Sequence, residues 1–494
     1  MTDIISKENN TNSNHCICLN CEGENKFTEH IFQSRTEILC SNSECNKTLV
    51  LEGNLIQGSW YLPIKLLGAG GFGKTFLAWK IDSNGQRDKC VIKKFAPRSP
   101  LSGNVLQKTQ ERFKREAEIL NKLSQQKSRI PKLFDFFFPK SLSSASISTE
   151  QQFPYIVQQY IDGQDLCKEL ENQKQFTEDK VFKVLIEILE VLKIIHKQGI
   201  FHRDIKPSNI ITVNSDMSEI YLIDFGAVTK ALEDYEATRW ELEDSNQNRA
   251  KLRHSSYLMA TPGFSPPEQQ EGEKIHASGD LYSLAATCIS LLTGEFPPRS
   301  MIKDRFNENY ERRWNKWQTN AQSKSRKLYH ILEKMLKIKP EERYKSAQDV
   351  LLASKAAWFD AAPQQNTSHL LSQQELENEM GRVRSRSLSE QEDHFLIACQ
   401  VWNWKQYNEL CEIRNANWEQ YNNLCNILKK FVAQVKEANK VDDPRFVIKQ
   451  VLFWTNGVQN ITNELCQLIL NSSFISRDKE LEKVENLVKN FLCK

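Results

Sequence analysis

Strand-like and helix-like segments alternate along the chain from Trp60 to about Trp358. Residues 75–81 (Thr-Phe-Leu-Ala-Trp-Lys-Ile) are rich in aromatic and branched side chains, a turn-forming Asp-Ser-Asn-Gly follows at 82–85, and Cys-Val-Ile-Lys comes next at 90–93. This order predicts a β-hairpin. Residues 181–196 instead place apolar side chains at helical spacing among charged ones, which predicts an amphipathic helix. The region is therefore expected to adopt an α+β fold.

Residues 393–494 carry a helical pattern that contains a short repeat. The sequence Trp-Lys-Gln-Tyr-Asn-Glu-Leu-Cys at 404–411 recurs as Trp-Glu-Gln-Tyr-Asn-Asn-Leu-Cys at 418–425. The displacement is two heptads, so both copies are predicted to face the same way on one helix, with a further helix after Pro444. The pattern indicates a packed helical bundle or, alternatively, a surface for self-association or a partner. The predicted apolar stripe comprises Trp404, Tyr407, Cys411, Trp418, Tyr421, Cys425, Leu428 and Val432.

These patterns divide the chain into five segments. Residues 1–14 are polar and expected to be disordered, and residues 359–392 are rich in Gln, Ser and Glu and are interpreted as a linker. The predicted folded parts are a cysteine-rich module at 15–50, an α+β domain at 58–358 and an all-α C-terminal domain at 393–494.

Composition and charge exclude several classes of protein. The net charge of the 494 residues is only +3, so bulk electrostatics favour neither a nucleic acid nor an anionic membrane as a partner. The longest apolar stretch, Leu281 to Leu292, is shorter than the ~18–20 residues of a membrane span and contains Ser and Thr. The N-terminus lacks the basic and then apolar layout of a signal peptide. We therefore expect a cytoplasmic protein without a membrane or nucleic-acid partner.

Two short motifs carry the chemistry. The first is His-Arg-Asp-Ile-Lys-Pro-Ser-Asn at 202–209, and the second is Asp-Phe-Gly at 224–226. Transfer of a phosphoryl group from ATP needs a carboxylate to orient the attacking hydroxyl, a lysine to neutralise the moving group, and an Asn–Asp pair to hold Mg²⁺. Asp204, Lys206, Asn209 and Asp224 supply these groups. In this order and at this spacing, the motifs resemble those of eukaryotic-type (Hanks-type) protein kinases, over about 300 of the 494 residues.

The resemblance implies a two-lobed kinase fold with ATP and Mg²⁺ as cofactors and protein substrates. Asp204 would position the substrate hydroxyl and accept its proton, Lys206 would stabilise the transferring phosphoryl group, and Asn209 and Asp224 would bind Mg²⁺. The lysine of Asp-x-Lys-Pro-x-Asn favours serine or threonine as the acceptor, and autophosphorylation is expected. The alternative is a catalytically weak nucleotide-binding scaffold that acts through its C-terminal helices.

The glycine-rich segment at 68–75 matches two nucleotide-binding patterns. It fits both G-x-G-x-x-G of kinases and G-x-x-x-x-G-K-[ST] of P-loop NTPases. A P-loop opens directly into a helix, whereas a β-hairpin is predicted here, so the kinase interpretation is favoured. The residues assigned to phosphate binding are Gly68, Gly70, Gly73 and Thr75, and Lys74 is expected to be exposed.

The kinase resemblance also assigns the lysine that binds the α- and β-phosphates. Lys93 fills that role, and its partner is expected on the following helix. Glu116 is the preferred partner and Glu118 the alternative register. Lys94 adjoins Lys93, but strand alternation directs it to the opposite face.

Residues 155–163 resemble the last strand of the N-terminal lobe and the hinge. By this resemblance Gln158 is the gatekeeper, and backbone groups of Gln159 and Ile161 meet the adenine. Asp165 could reach the ribose. Leu67, Val91 and Ile211 would sandwich the base, although each apolar residue could equally serve ordinary core packing.

The segment after Asp224 contains three expected supporting contacts. Thr261 should bond near Asp204, Glu268 should pair with Arg343, and Asp280 should hold the backbone of the catalytic loop. Asp224 and Glu268 lie 44 residues apart, which exceeds the usual spacing, and an insertion near 232–251 accounts for the surplus. This insertion is either a surface loop or a gate for substrate. Ser255, Ser256 and Tyr257 lie where an activating phosphate could reach Arg203.

The N-terminal cysteines form two pairs, Cys18-x2-Cys21 and Cys40-x4-Cys45. Thirteen cysteines without an export signal argue against a disulfide framework. Four thiolates in two knuckles match a structural zinc ribbon, with Cys16 and His15 as spare ligands, and redox-sensitive thiols are the alternative. The segment resembles the cysteine motif that precedes the kinase domain in cyanobacterial serine/threonine kinases, although the x4 spacing is wider.

Overall fold

The structure is a computed structural model, and its strands and helices are numbered here in chain order. It describes residues 15–19, 21–26, 40–42, 44–45, 51–52, 60–69, 73–96, 103–126, 129–138, 153–214, 216–227, 229–230, 261–271, 276–298, 308–361, 370–383, 388–407, 418–437, 447–448, 451–452, 455 and 459–471. The chain divides into two compact units. The first comprises Met1–Phe176, Glu190–Asn320 and Met335–Arg343, and the second comprises Thr177–Leu189, Ala321–Lys334 and Tyr344–Lys494.

A six-stranded antiparallel sheet dominates the first unit. Its order is β3-β4-β5-β6-β8-β7, and the predicted hairpin is its centre, formed by β5 and β6. The strands are β3 (Leu51–Glu52), β4 (Trp60–Ala69), β5 (Gly73–Ile81), β6 (Arg87–Phe95), β7 (Leu133–Phe137) and β8 (Tyr155–Gln159). Because β5 is a strand immediately after the glycine-rich segment, the P-loop alternative is excluded.

The register of β5 and β6 separates two faces of this sheet. Thr75 lies opposite Lys93, and the next rung pairs Lys74 with Lys94. Since side chains alternate along a strand, these two rungs present their side chains to opposite faces. On the Lys74 face, a buried apolar cluster includes Phe76 and Ile92. Helix α1 (Gly103–Ser124) contributes the buried Glu116 to the site described below.

The cysteine-rich segment packs on the same sheet. Strands β1 (His15–Ile17) and β2 (Glu24–Lys26) pair antiparallel, and the chain between them turns tightly. Cys18, Cys40 and Cys16 are buried against Leu62 and Ile81 of the sheet. The apolar contacts that this short segment lacks internally are therefore provided by β4 and β5.

The remaining described elements of the first unit are short strands and helices around the catalytic motifs. Strands β9 (Gln164–Asp165), β11 (Ile210–Val213) and β12 (Glu219–Leu222) form one small sheet, and β10 (Ile200–Phe201) pairs with β13 (Thr229–Lys230). The helices in or entering this unit are α2 (Leu166–Gln173), α3 (Glu178–Lys197), α4 (Pro267–Glu271), α5 (Ala277–Thr293), α6 (Glu308–Lys324) and α7 (Arg326–Met335).

Helix α5 is buried along almost its whole length, from Ser278 to Thr293. Four of its hydroxyl groups are satisfied because each donates to a carbonyl four residues earlier. These belong to Ser283, Thr287, Ser290 and Thr293. The apolar stretch noted in the sequence is thus the centre of a globular core. No helix in the described ranges is both long and apolar enough to cross a membrane.

The second unit is helical in its described C-terminal part. Helices α8 (Ala347–Ala361), α9 (Gln373–Val383), α10 (Glu390–Tyr407), α11 (Trp418–Glu437) and α12 (Gln459–Asn471) contribute to one apolar core. Helix α9 lies within the segment interpreted as a linker, and Leu371 and Leu376 from this segment are buried in that core. Arg382 of α9 pairs with Asp349 of α8 and with Glu379.

The two copies of the repeat do not lie on one helix, so that prediction was wrong. Helix α10 ends at Tyr407 and α11 begins at Trp418, and Lys429 of α11 lies 3.1 Å from Glu390 of α10. On a continuous helix these residues would be about 58 Å apart. The chain folds back because packing the apolar stripe against a neighbouring helix removes it from water. Cys425, Leu428 and Val432 of the stripe are buried. Cys411 lies outside the described residues.

Candidate active site

The catalytic loop at 202–209 is held by Asp280 of α5. The carboxylate of Asp280 accepts hydrogen bonds from the backbone N–H of His202 at 2.9 Å and of Arg203 at 2.7 Å, and lies 2.8 Å from His196 Nε2. Burial alone would raise the pKa of Asp280, but the hydrogen bonds from His196 and the loop outweigh it and lower the pKa. The contact predicted between Asp280 and the loop backbone is confirmed.

Two residues of the site have left-handed backbone conformations. Arg203 has a φ of 70° and Asp224 a φ of 65°. Such conformations cost about 1–3 kcal/mol for residues other than glycine and persist only where the surroundings enforce them. Here the bonds to Asp280 enforce the first, and the N–H of Ile223, which donates to Asn209 O at 2.9 Å, fixes the chain just before the second.

Asp204, Lys206, Asn209 and Thr261 form one hydrogen-bonded group. Lys206 Nζ lies 2.8 Å from Asp204 Oδ2, and Asn209 Nδ2 donates to Asp204 O at 2.8 Å. Thr261 donates its hydroxyl to Asp204 Oδ1 at 2.6 Å and accepts from Lys206 at 3.2 Å. The predicted contact of Thr261 is therefore present, and the carboxylate of Asp204 is held at a fixed angle. Because Asn209 Nδ2 is engaged, Oδ1 is its atom available to a cation.

Lys93 connects the sheet to the second motif. Its Nζ lies 2.5 Å from Glu116 Oε1 and 2.8 Å from Asp224 Oδ1. Burial alone would lower the pKa of Lys93, but the two carboxylates outweigh this effect and raise the pKa. Lys93 in turn lowers the pKa of Asp224 to about 2, while burial raises that of Glu116. Glu116 is thus the partner of Lys93, and Glu118 is exposed on the helix surface.

An aromatic contact that the sequence did not reveal joins the two motifs. The ring of Phe225 packs edge-on against the ring of His202, with centroids 4.8 Å apart. His202 is fully buried, its Nε2 lies 3.2 Å from Ile223 O, and burial lowers its pKa. The imidazole therefore acts as a packing element. The sequence places His202 two positions before Asp204 and Phe225 directly after Asp224. Only the folded chain shows that the two rings meet.

The hinge residues lie at the end of β8. Gln158 is buried, and the N–H of Gln159 donates to Lys132 O at 2.8 Å. A Cβ on Gly163 would lie 2.3 Å from Thr212 O, so only glycine permits this approach of the hinge to β11. Asp165 follows and accepts from the N–H of Lys168 as the N-cap of α2.

The apolar residues assigned to the base differ in exposure. Val91 and Ile161 are buried, Ile211 is half-buried beside Asp165, and 47% of Leu67 is exposed. Leu67 is therefore not part of the packed core.

The glycine-rich segment is open on the side of its first glycine. Among the residues that the structure describes, a Cβ on Gly68 would meet nothing within 4 Å beyond its chain neighbours. Gly73 and Thr75 lie at the start of β5. Gly70 lies outside the described residues.

The comparisons with known proteins agree with this geometry. A family model described as the protein kinase domain matches residues 61–357. The chain belongs to the protein kinase family.

Cyanobacterial relatives are among the matches. The chain is 35% identical over 340 residues to serine/threonine-protein kinase F of Synechocystis sp., covering 68% of this chain and 62% of the relative. It is 35% identical over 307 residues to serine/threonine-protein kinase B of the same organism, covering 62% and 47% respectively. Serine/threonine-protein kinase PknA of Nostoc sp. is 35% identical over 295 residues, covering 59% and 46%. The chain thus spans about half to three-fifths of the length of these kinases.

Glu268 and Arg343 form a buried ion pair in the kinase region. The two terminal nitrogens of the Arg343 guanidinium, Nη1 and Nη2, donate to Glu268 at 2.6 and 2.9 Å. The other N–H groups of Arg343 donate to the carbonyls of Lys337, Ile338 and Ser278. Neither side chain is more than 5% exposed. The predicted pairing is confirmed, and the extra carbonyl contacts satisfy the donors that burial would otherwise leave unpaired.

The four thiols of the cysteine pairs converge in the kinase. The Sγ atoms of Cys18, Cys21, Cys40 and Cys45 all lie within 4.8 Å of one another. Cys18 is 3.6 Å from Cys45, and Cys21 is 3.6 Å from Cys40. Cys16, predicted as a spare ligand, is buried in the apolar cluster beneath them.

Two predictions concern positions that the structure does not describe. The insertion near 232–251 and the three hydroxyl residues Ser255, Ser256 and Tyr257 lie outside the described residues. The backbone carbonyl of Arg203 accepts a hydrogen bond from Gln269 Nε2 at 2.9 Å. Pairing of Arg203 with a phosphate on one of these hydroxyl residues stays a prediction.

Proposed function

We propose that this chain is a serine/threonine protein kinase that transfers the γ-phosphoryl group of ATP to hydroxyl groups of proteins. The observation that carries the proposal is that the motif residues assemble into two bonded sets, whose motifs are joined by the contact of Phe225 with His202. Lys93, Glu116 and Asp224 form one ion-paired set, and Asp204, Lys206 and Asn209 form the other. The relatives that are named serine/threonine kinases support the same activity.

The nucleotide would lie between the glycine-rich segment and the hinge. Gly68, Gly70, Gly73 and Thr75 would approach the phosphates, and Lys93 would bind the α- and β-phosphates from the sheet. Gln159 and Ile161 would meet the adenine, Leu67, Val91 and Ile211 would cover its faces, and Asp165 would reach the ribose. The ion pair with Glu116 holds the ammonium group of Lys93 in place, so that no reorganisation is needed when ATP arrives.

The residues of the catalytic loop would act on the acceptor. Asp204 orients the substrate hydroxyl and accepts its proton while the hydroxyl oxygen bonds to the γ-phosphorus. The bond from that phosphorus to the oxygen bridging to the β-phosphate breaks, and ADP leaves. Lys206, 2.8 Å from Asp204, places positive charge where charge develops on the moving group.

Asn209 and Asp224 fit a magnesium ion. Their available atoms are an amide oxygen and a carboxylate, the hard oxygen ligands that Mg²⁺ prefers. The low pKa of Asp224 keeps this ligand ionised throughout the physiological range. Asn209 and Asp224 would hold the ion, which would supply positive charge to offset the charge of the phosphates.

Incubation of the purified protein with ATP, Mg²⁺ and a mixture of protein acceptors tests this activity. We expect phosphate on serine and threonine, both on the acceptors and on the protein itself. Phosphotyrosine alone would contradict the acceptor assignment. Nucleotide binding without any transfer would instead support the alternative, a scaffold that acts through its C-terminal helices.

We also propose that Cys18, Cys21, Cys40 and Cys45 bind one structural zinc ion. Tetrahedral zinc with bonds of ~2.3 Å to sulfur separates its ligands by about 3.8 Å. The two 3.6 Å sulfur separations are close to this value. The module would resemble a zinc ribbon, with redox-sensitive thiols as the alternative.

Metal analysis distinguishes the two interpretations. Protein purified under reducing conditions should contain about one zinc per chain, and replacement of Cys18 and Cys21 by serine should remove it. Cys167→Ser is the matched control, because this cysteine lies on α2 and outside the thiol cluster; it should retain the metal. Reduced protein without zinc would shift the assignment to redox-sensitive thiols.

A further inference from the structure

The turn between Cys18 and Gly23, here called the knuckle, is bonded to the strands that carry the nucleotide site. The turn is closed by hydrogen bonds from Glu22 N to Cys18 O at 2.9 Å and from Cys18 N to Gly23 O at 3.0 Å. Leu19 of the knuckle is buried in the apolar cluster that contains Phe76 of β5. The knuckle is therefore packed on the Lys74 face of the sheet.

Two lysines of the sheet bind the knuckle directly. Lys94 donates to Leu19 O at 2.7 Å, and Lys74 forms an ion pair with the carboxylate of Glu22. Lys74, which we expected to be exposed, is only 33% exposed, so that expectation was wrong. Glu22 itself has a φ of 60°, a conformation that requires support from its surroundings.

These two lysines oppose each other across β5 and β6. Like charges directly opposite on antiparallel strands are destabilising. The pair Lys74–Lys94 is also the rung next to Thr75–Lys93, and a Cβ on Gly73 would lie 2.7 Å from Lys94 O. The repulsion would therefore act at the point where the glycine-rich segment enters the sheet, beside the phosphate-binding lysine.

We propose that the knuckle is a positioning element of the ATP site: Glu22 neutralises Lys74, the carbonyl of Leu19 accepts a hydrogen bond from Lys94, and the end of the glycine-rich segment is thereby held against β6. Glu22 is then the positioning residue for ATP. Lys74 and Lys94, which do not point to the phosphate face, are the opposed charges whose repulsion it offsets. This inference rests on the proposed ATP site and needs no particular occupant of the thiol cluster.

A double-mutant cycle on Glu22 and Lys74 tests the inference. Affinity for a fluorescent, non-hydrolysable ATP analogue is measured on the full chain, together with KM for ATP and kcat. Glu22→Gln should weaken nucleotide affinity about threefold and raise KM similarly, with kcat little changed, because Lys74 then faces Lys94 without a neutralising carboxylate. Lys74→Met removes the repulsion, so this variant and the double variant Glu22→Gln/Lys74→Met should both bind the analogue as the parent does. The rescue distinguishes this role from a general loss of folding, which a second substitution would not repair.

The matched control is Glu118→Gln. It removes an exposed carboxylate that forms an ion pair with a lysine on α1, away from the knuckle. It should leave nucleotide affinity unchanged. Unchanged affinity in Glu22→Gln, or a loss that Lys74→Met does not restore, would overturn the inference while the ATP site stands. A parent protein that binds no nucleotide would instead contradict the proposed function, and this inference with it.

Discussion

Asp204→Asn should reduce phosphoryl transfer by a factor of about 10²–10⁴ while nucleotide binding and folding stay near those of the parent. The substitution keeps the shape of the side chain, and an amide can still accept from Thr261 and Lys206. It cannot accept the proton of the attacking hydroxyl. Asp204 does not contact Lys93, which belongs to the other group of the site. The measurement is a single-turnover transfer assay together with the affinity for a non-hydrolysable ATP analogue.

The control for this prediction is Asp216→Asn. Asp216 is exposed between β11 and β12 and accepts from the N–H of Ser218, which an amide oxygen can also do. This variant should transfer phosphate at the parental rate. Transfer by Asp204→Asn at near the parental rate would show that another group accepts the proton, and the assignment of Asp204 would be wrong.

Arg343→Met should lower the free energy of unfolding by about 3–5 kcal/mol. Arg343 is fully buried and satisfies both carboxylate oxygens of Glu268, so its removal leaves a buried charge without its partner. Three backbone carbonyls also lose a donor. Chemical denaturation followed by circular dichroism measures the loss. The double variant Glu268→Gln/Arg343→Met should recover part of the stability, because no unpaired charge then remains.

Lys339→Met is the comparison for Arg343→Met. Lys339 lies 4.0 Å from Glu342 in an exposed pair only four residues before Arg343. Solvent screens such pairs, so the change in the free energy of unfolding should stay below about 1 kcal/mol. Equal losses in the two variants would show that burial of the Glu268–Arg343 pair has no special weight.

The sequence was sufficient for the parts of the site that lie close together along the chain. The spacing within residues 202–209, the Asp-Phe-Gly that follows, and the β-hairpin after the glycine-rich segment each depend on local geometry, where side-chain identity and separation decide the structure. The choice of Glu116 over Glu118 also followed from local periodicity, since the residue on the buried face of α1 is the one that can reach Lys93. The resemblance to kinases then supplied the distant contacts of Asp280 and Arg343.

Only the tertiary structure decided the features that depend on distant segments or on the reversal of the chain. Two heptads predicted one helix through residues 404–425, but periodicity describes a face of a helix and not where the helix ends. Alternation directed Lys94 away from Lys93, but it could not show what meets the opposite face. The knuckle meets Lys74 and Lys94 there because a short cysteine-rich segment has too little apolar surface of its own and gains it by packing on the sheet.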